Sequence, residues 1–195
     1  MLVAITFNDD ERNIHSLTET DDAFTQNRLG VMYLNDENYE QALYWLRLSA
    51  EQDNASAQNN LGFMYQLGLG VNRDYEQALY WHRLAAAQHD VGAQYNLGFM
   101  YAYGKGVPQN YEQALYWFLL AAGQGSAPAQ INIGTIYLLG LGVSQDYGQA
   151  AYWYRLAAEQ GDATAQDALA YMYLQGLGVP QDYEQAVYWY LLSKE

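Results

Sequence analysis

The groups in this sequence best able to move protons or hold a metal ion are three histidines and 22 carboxylates, and there is no cysteine. Without thiols there are no thiolate ligands, no cysteine nucleophiles and no disulfides. His82 and His89 stand two turns apart on one predicted helix, so they could face the same way. A metal site needs a third or fourth convergent ligand, and neither His15 nor any acidic cluster supplies one. Glu76, Glu112 and Glu184 recur in the first turns of predicted helices, where the helix dipole favours a negative charge without any catalytic task. The Gly-x-Gly-Val elements that begin at Gly68, Gly104, Gly140 and Gly176 are not phosphate loops, because no strand precedes them and no nucleotide-type continuation follows. This inventory argues against an enzyme, and no metal or cofactor is expected.

Charge narrows the partners. The net charge is −14, with only eight Lys and Arg residues, so nucleic acid and anionic membrane are repelled and a basic protein face is favoured. Half the residues are apolar and 15% are aromatic, twenty of them Tyr, which is too rich for a disordered chain. No apolar run reaches membrane-spanning length, so no membrane insertion is expected. The apolar opening from Met1 to Phe7 lacks a basic leader and runs straight into Asp9, Asp10 and Glu11, unlike a signal peptide. As written, the chain reads as cytoplasmic; a removed signal would make it periplasmic or secreted.

The elements that carry these side chains repeat. Ala57, Ala93, Ala129 and Ala165 stand 36 residues apart, as do Tyr65, Tyr101, Tyr137 and Tyr173, the Gly pairs, and Trp81, Trp117, Trp153 and Trp189. An earlier copy runs through Leu29, Gly30, Tyr33, Tyr39, Ala42 and Trp45 but lacks four residues of the turn. Each copy reads as two helices. Ala57, Leu61, Met64 and Tyr65 form one helical face, within which Gly62 permits close approach of the second helix. Gly68 and Gly70 then break the helix. Asp74 with Gln77 opens the second helix as a capping box, and Asn38/Gln41, Asn110/Gln113, Asp146/Gln149 and Asp182/Gln185 repeat it. Asp22, Asn54, Asp90, Ser126 and Asp162 start the first helices, which makes about ten helices in an all-α chain. The five Trp, at 45, 81, 117, 153 and 189, are expected as core rings among small neighbours, each contributing on the order of 4–6 kcal/mol gross. His82 occupies the slot filled by Leu46, Phe118, Tyr154 and Tyr190 and is expected to pack.

The run Leu61-Gly62-x-x-Tyr65-x-x-Gly68-x-Gly70-Val71-x-x-Asp74-x-x-x-Ala78-x-x-Trp81-x-x-x-Ala85-Ala86 resembles a Sel1-like repeat, a relative of the tetratricopeptide repeat. The resemblance covers residues 22–195 in copies at 22–53, 54–89, 90–125, 126–161 and 162–195. Ala170 replaces the helix Gly in copy five, and Ser49 and Ser193 replace an Ala in copies one and five, which is expected to weaken the end copies. The resemblance implies a right-handed α-solenoid whose first helices line a concave face. It implies an adaptor or scaffold for a partner protein, alternatively an immunity or inhibitor protein against a toxic effector. It leaves a β-lactam-directed enzyme behind both, since no nucleophile sits in an evident pocket.

Specificity must come from positions that differ between copies. On the first helices these form a stripe: Phe24, Asn27, Val31 and Leu34 in copy one; Ser56, Asn59, Phe63 and Gln66 in copy two. Copy three has Gly92, Tyr95, Phe99 and Ala102, copy four Pro128, Ile131, Thr135 and Leu138, and copy five Thr164, Asp167, Tyr171 and Leu174. The stripe is apolar and amide-rich, either a groove for a partner or packing against the neighbouring repeat. The Tyr before each Trp lies on another face of the second helix, half exposed. Residues 1–21 stand outside the repeats as an acidic segment, in which Asn13 to Leu17 form a short capping helix or part of a floating tail. Tyr188, Tyr190, Leu191 and Leu192 have no following repeat to cover them all, which points to a homodimer through this end or a longer natural chain.

Overall fold

The computed structural model describes residues 21–194, so the expectations for the acidic segment and its Asn13–Leu17 helix lie outside the described residues. Ten α-helices and no strand occur among them: α1 Ala23–Asn35, α2 Tyr39–Ala50, α3 Ala55–Leu67, α4 Tyr75–Ala87, α5 Val91–Tyr103, α6 Tyr111–Gly123, α7 Ala127–Leu139, α8 Tyr147–Ala158, α9 Ala163–Gln175 and α10 Tyr183–Leu192. Each odd-numbered helix pairs with the next. The chain divides after Asp90 into two compact units. In the first, α2 packs on α3; in the second, α6 packs on α7 and α8 on α9.

The helix starts follow from short acceptor side chains. Asp22, Asn54, Ser126 and Asp162 accept from the backbone N–H three residues on, and Asn38, Asp74, Asn110, Asp146 and Asp182 do the same at the second helices. The return half of the expected capping box is displaced. The backbone N–H groups of Asn38, Asp74, Asn110, Asp146 and Asp182 donate instead to the carbonyls of Tyr33, Tyr65, Tyr101, Tyr137 and Tyr173, at 2.9–3.0 Å. A bond that a glutamine would have made locally therefore ties the two helices of one repeat together.

The turn glycines divide their labour. Gly68 ends α3 at φ +76°, a left-handed conformation that costs an L side chain about 1 kcal/mol or more. Gly70 also has positive φ, and a Cβ there would stand 2.9 Å from the Cβ of Tyr39, at the head of α2. Within the repeats, Gly30, Gly62, Gly98 and Gly134 sit against Leu46, His82, Phe118 and Tyr154, and an added Cβ would come within 2.5–2.9 Å of those side chains. In the first four repeats the bulky slot on the second helix is thus seated on a bare patch of the first.

The core is distributed along the repeats. One cluster holds Ala42, Leu46, Ala50, Ala57, Leu61 and Met64; others gather around Phe118 with Ile133, and around Tyr154 with Leu169. The Trp positions are unequal. Trp45 and Trp189 are 7% and 9% exposed, whereas Trp81, Trp117 and Trp153 are only partly buried. Trp81 and Trp153 lean on the edges of their clusters instead of filling them. Ser49 is wholly buried and donates to the Ala23 carbonyl, and Ser193 donates to Asp167, so each serine adds a bond where a weaker copy was expected.

Candidate partner-binding surface

The first-helix stripe falls into three groups. Phe24, Phe63, Tyr171 and Leu174 are exposed, at 62%, 37%, 56% and 41%. Asn59, Gln66, Tyr95, Phe99, Ile131, Thr135 and Leu138 are partly buried. Ala102 is buried and does not face solvent as expected of a stripe residue. In the second unit the partial burial has a structural cause. Tyr95 leans on Phe118 with ring centroids 5.7 Å apart, and Ile131 and Leu138 pack against the cluster around Tyr154 and Leu169 that the fourth and fifth repeats share. The Thr135 hydroxyl bonds the Ile131 carbonyl and the Tyr154 hydroxyl. Part of the stripe there packs onto the second helix of its own repeat, as Tyr95 does on Phe118 and Thr135 on Tyr154.

Two further positions on the stripe carry electrostatics. Asp167 accepts from the Ser193 hydroxyl and pairs with Lys194 at 3.2 Å; these contacts, the serine first, hold its carboxyl below the ordinary value. The Gln66 amide oxygen is buried without a donor among the described residues. Gln109, Gln145 and Gln181 in the turns donate to the carbonyls of Ala102, Leu138 and Leu174, at 2.7–2.9 Å, and so satisfy open carbonyls at the ends of α5, α7 and α9.

A ladder of glutamines was not singled out from the sequence. Gln26, Gln58, Gln94, Gln130 and Gln166 are all buried. The amides of Gln52, Gln88, Gln124 and Gln160 donate to the first four, at 2.8–2.9 Å. Gln58 and Gln166 also donate back to the Ala50 and Ala158 carbonyls of the preceding repeat, at 3.2 Å. The available signal was the 36-residue period of Gln58, Gln94, Gln130 and Gln166 and of their partners Gln52, Gln88, Gln124 and Gln160, with Gln26 offset by the short first turn.

The Tyr row behaves differently. Tyr44, Tyr80, Tyr116, Tyr152 and Tyr188 are each about half exposed, and each meets the following Trp edge to face at 5.0–5.3 Å. The indole N–H groups of Trp45, Trp81, Trp117 and Trp189 are buried without an acceptor among the described residues. His82 is completely buried against Gly62, with neither ring nitrogen partnered among the described residues. Burial lowers its pKa from the usual 6.5 to about 4, so the ring is neutral at pH 7. A buried neutral ring facing a glycine is packing, as expected. Among the described residues no three His, Cys, Asp or Glu side chains converge as a metal site, and no helix is long and apolar enough to cross a membrane.

Comparison with known proteins agrees with this architecture. The Sel1 repeat model matches five times, over residues 23–54, 55–90, 91–126, 127–162 and 163–195. No curated protein matches the sequence. A Sel1 repeat protein from Oxalobacter formigenes is similar at 35% identity and TM-score 0.86, over 94% of this chain and 79% of its own. A protective antigen of uropathogenic Escherichia coli with the same repeat fold is similar at 38% identity and TM-score 0.84 over 88% of this chain, which spans only 38% of the antigen's length. Proteins of this family are generally protein-interaction scaffolds. With five matched repeats and ten helices among the described residues in the matching all-α, solenoid-like class, the chain belongs to the Sel1 repeat family.

Proposed function

We propose that this protein is a non-catalytic scaffold that holds a segment of a partner protein on the first-helix stripe. The observation that carries the reading is the exposure of large apolar side chains at stripe positions, Phe24, Tyr171, Leu174 and Phe63, which no framework role explains. An acidic body around them favours a partner with a basic face. The partner docks through aromatic anchors, and surface acids set its orientation and approach rate.

The test is capture from the source organism's lysate on the immobilised protein, compared with a Phe63→Ser/Tyr171→Ser variant of unchanged helicity. Capture of a defined protein by the parent and its loss in the variant is the expected result; equal capture overturns the reading. The immunity alternative, suited by the charge of −14, differs in strength and breadth: one basic partner held at nanomolar affinity and encoded beside it.

A further inference from the structure

One pair of stripe positions is small where its counterparts are large. The last stripe position of one repeat and the third of the next are Leu34 and Phe63, Gln66 and Phe99, and Leu138 and Tyr171. For the third and fourth repeats the same pair is Ala102 and Thr135. Both line a void of about 200 Å³ inside the second unit, between α5, α6 and α7. Phe118 and Ile136, both buried, line its inner part, and Tyr103 and Leu139, each 58% exposed, stand at its mouth. The Tyr103 ring is braced by Phe99, with centroids 4.4 Å apart.

The polar groups around the void already bond within the chain. The Thr135 hydroxyl is engaged with the Ile131 carbonyl and the Tyr154 hydroxyl. The Asn132 amide donates to the Pro128 carbonyl at 2.8 Å, and the Gln109 amide donates to the Tyr111 hydroxyl at 3.0 Å. What remains for a guest is apolar surface, and an apolar cavity of about 150 Å³ already takes a benzene ring.

We propose, resting on the scaffold role above, that this void receives an aromatic side chain of the partner segment, phenylalanine by preference. The ring chemistry follows from the chain's own pattern. Where Thr135 stands, three other repeats place Phe63, Phe99 and Tyr171, so the partner supplies the ring that the fourth repeat omits. Phenylalanine is preferred because a hydroxyl carried inward meets groups that are already bonded. Lysines or arginines flank the ring in the partner, as the net charge of −14 favours. A second copy is a poorer occupant, since it brings the same negative charge to the contact.

The probe is toluene, the analogue of a phenylalanine side chain, added to the full chain with isotope-labelled isoleucine and leucine methyl groups. Saturable shifts of the Ile136 and Leu139 methyl signals are expected. Ala102→Leu/Thr135→Phe installs the residue types of other repeats, fills the void and should weaken this binding at least about tenfold. Tyr152→Ser, on a different helix, should leave it unchanged. Circular dichroism and a melt verify the fold of the filled variant; Ala102→Leu alone replaces it if the melt shifts. Absent shifts, or equal shifts in the filled variant, overturn the proposal.

The second arm reads the partner. With a benzophenone amino acid at Tyr171, the protein adduct formed in the source organism's lysate is expected to fall at least about tenfold in the filled variant. An adduct that survives filling leaves the scaffold role standing and overturns the proposal, because any ring in the void then belongs to a free small molecule. No adduct from the parent overturns the scaffold role, and the proposal with it. A light-scattering dimer that filling dissolves also overturns the proposal, because it gives the void to a second copy.

Discussion

His82 is a residue whose neighbourhood decides its chemistry. Its ring fills a space that holds Leu46, Phe118 or Tyr154 in other repeats, and burial leaves the proton on the unfolded chain only. As pH falls below 6.5 the unfolded chain takes up a proton that the folded chain refuses until about 4. Stability from this site is therefore complete above pH 6.5 and lost across the interval down to 4, at about 1.4 kcal/mol per pH unit. His82→Leu, which installs the residue of the first repeat, is expected to gain on the parent by about 2 kcal/mol between pH 7 and pH 5 in paired urea titrations. A constant difference would show the ring to be solvated. Trp117 gives a second test. Its partial burial places Trp117→Ala near 3 kcal/mol, the low end for a large ring, and thermal melts should show the larger loss for the more deeply buried Trp45→Ala. The sequence marked all five Trp as equivalent because periodicity reports position, whereas burial depends on which neighbours complete the pocket.

At the scale of the helix pair, the fold rests on close approach. Gly98 lies where a Cβ would stand 2.5 Å from the Phe118 ring, so Gly98→Ala forces α5 and α6 apart and is expected to cost about 1–3 kcal/mol. Shrinking the ring, with Gly98→Ala/Phe118→Leu, should recover part of that loss; additive losses in denaturant titrations would contradict the contact. Ala170 already stands at this position in the fifth repeat, where the matching ring, Tyr190, is 53% exposed. The helices, their caps and this glycine contact were legible because local chemistry sets them. The glutamine ladder was not, since Gln is unremarkable on a helix surface and only the stacking of repeats buries it. Gln94→Leu removes the bond that Gln124 donates to Gln94 and is expected to destabilise by about 1–2 kcal/mol. The gain in apolar volume offsets some of this, and an unchanged melt would show the ladder to be incidental.

Across the molecule, framework and recognition occupy different positions. The 36-residue period builds the stack, and the variable stripe was readable as the place where copies differ. How much of that stripe stays open was not readable, because a side chain there is covered or exposed according to the residue that faces it from the second helix, as Phe118 faces Tyr95 and Tyr154 faces Thr135. Tyr95, Ile131, Thr135 and Leu138 are engaged by neighbours, while Phe63, Tyr171 and Leu174 remain exposed. On the proposed function, an acidic surface favours those partners whose contact face is basic.

The claim that the stripe holds a partner protein is tested most directly by site-specific photo-crosslinking in the source organism's lysate. A benzophenone amino acid is placed at Phe63, at Tyr171 or at the control position Tyr152. The account predicts the same defined protein adduct from both stripe positions and none from Tyr152. Adducts that are absent from the stripe, or equal at all three positions, would contradict it.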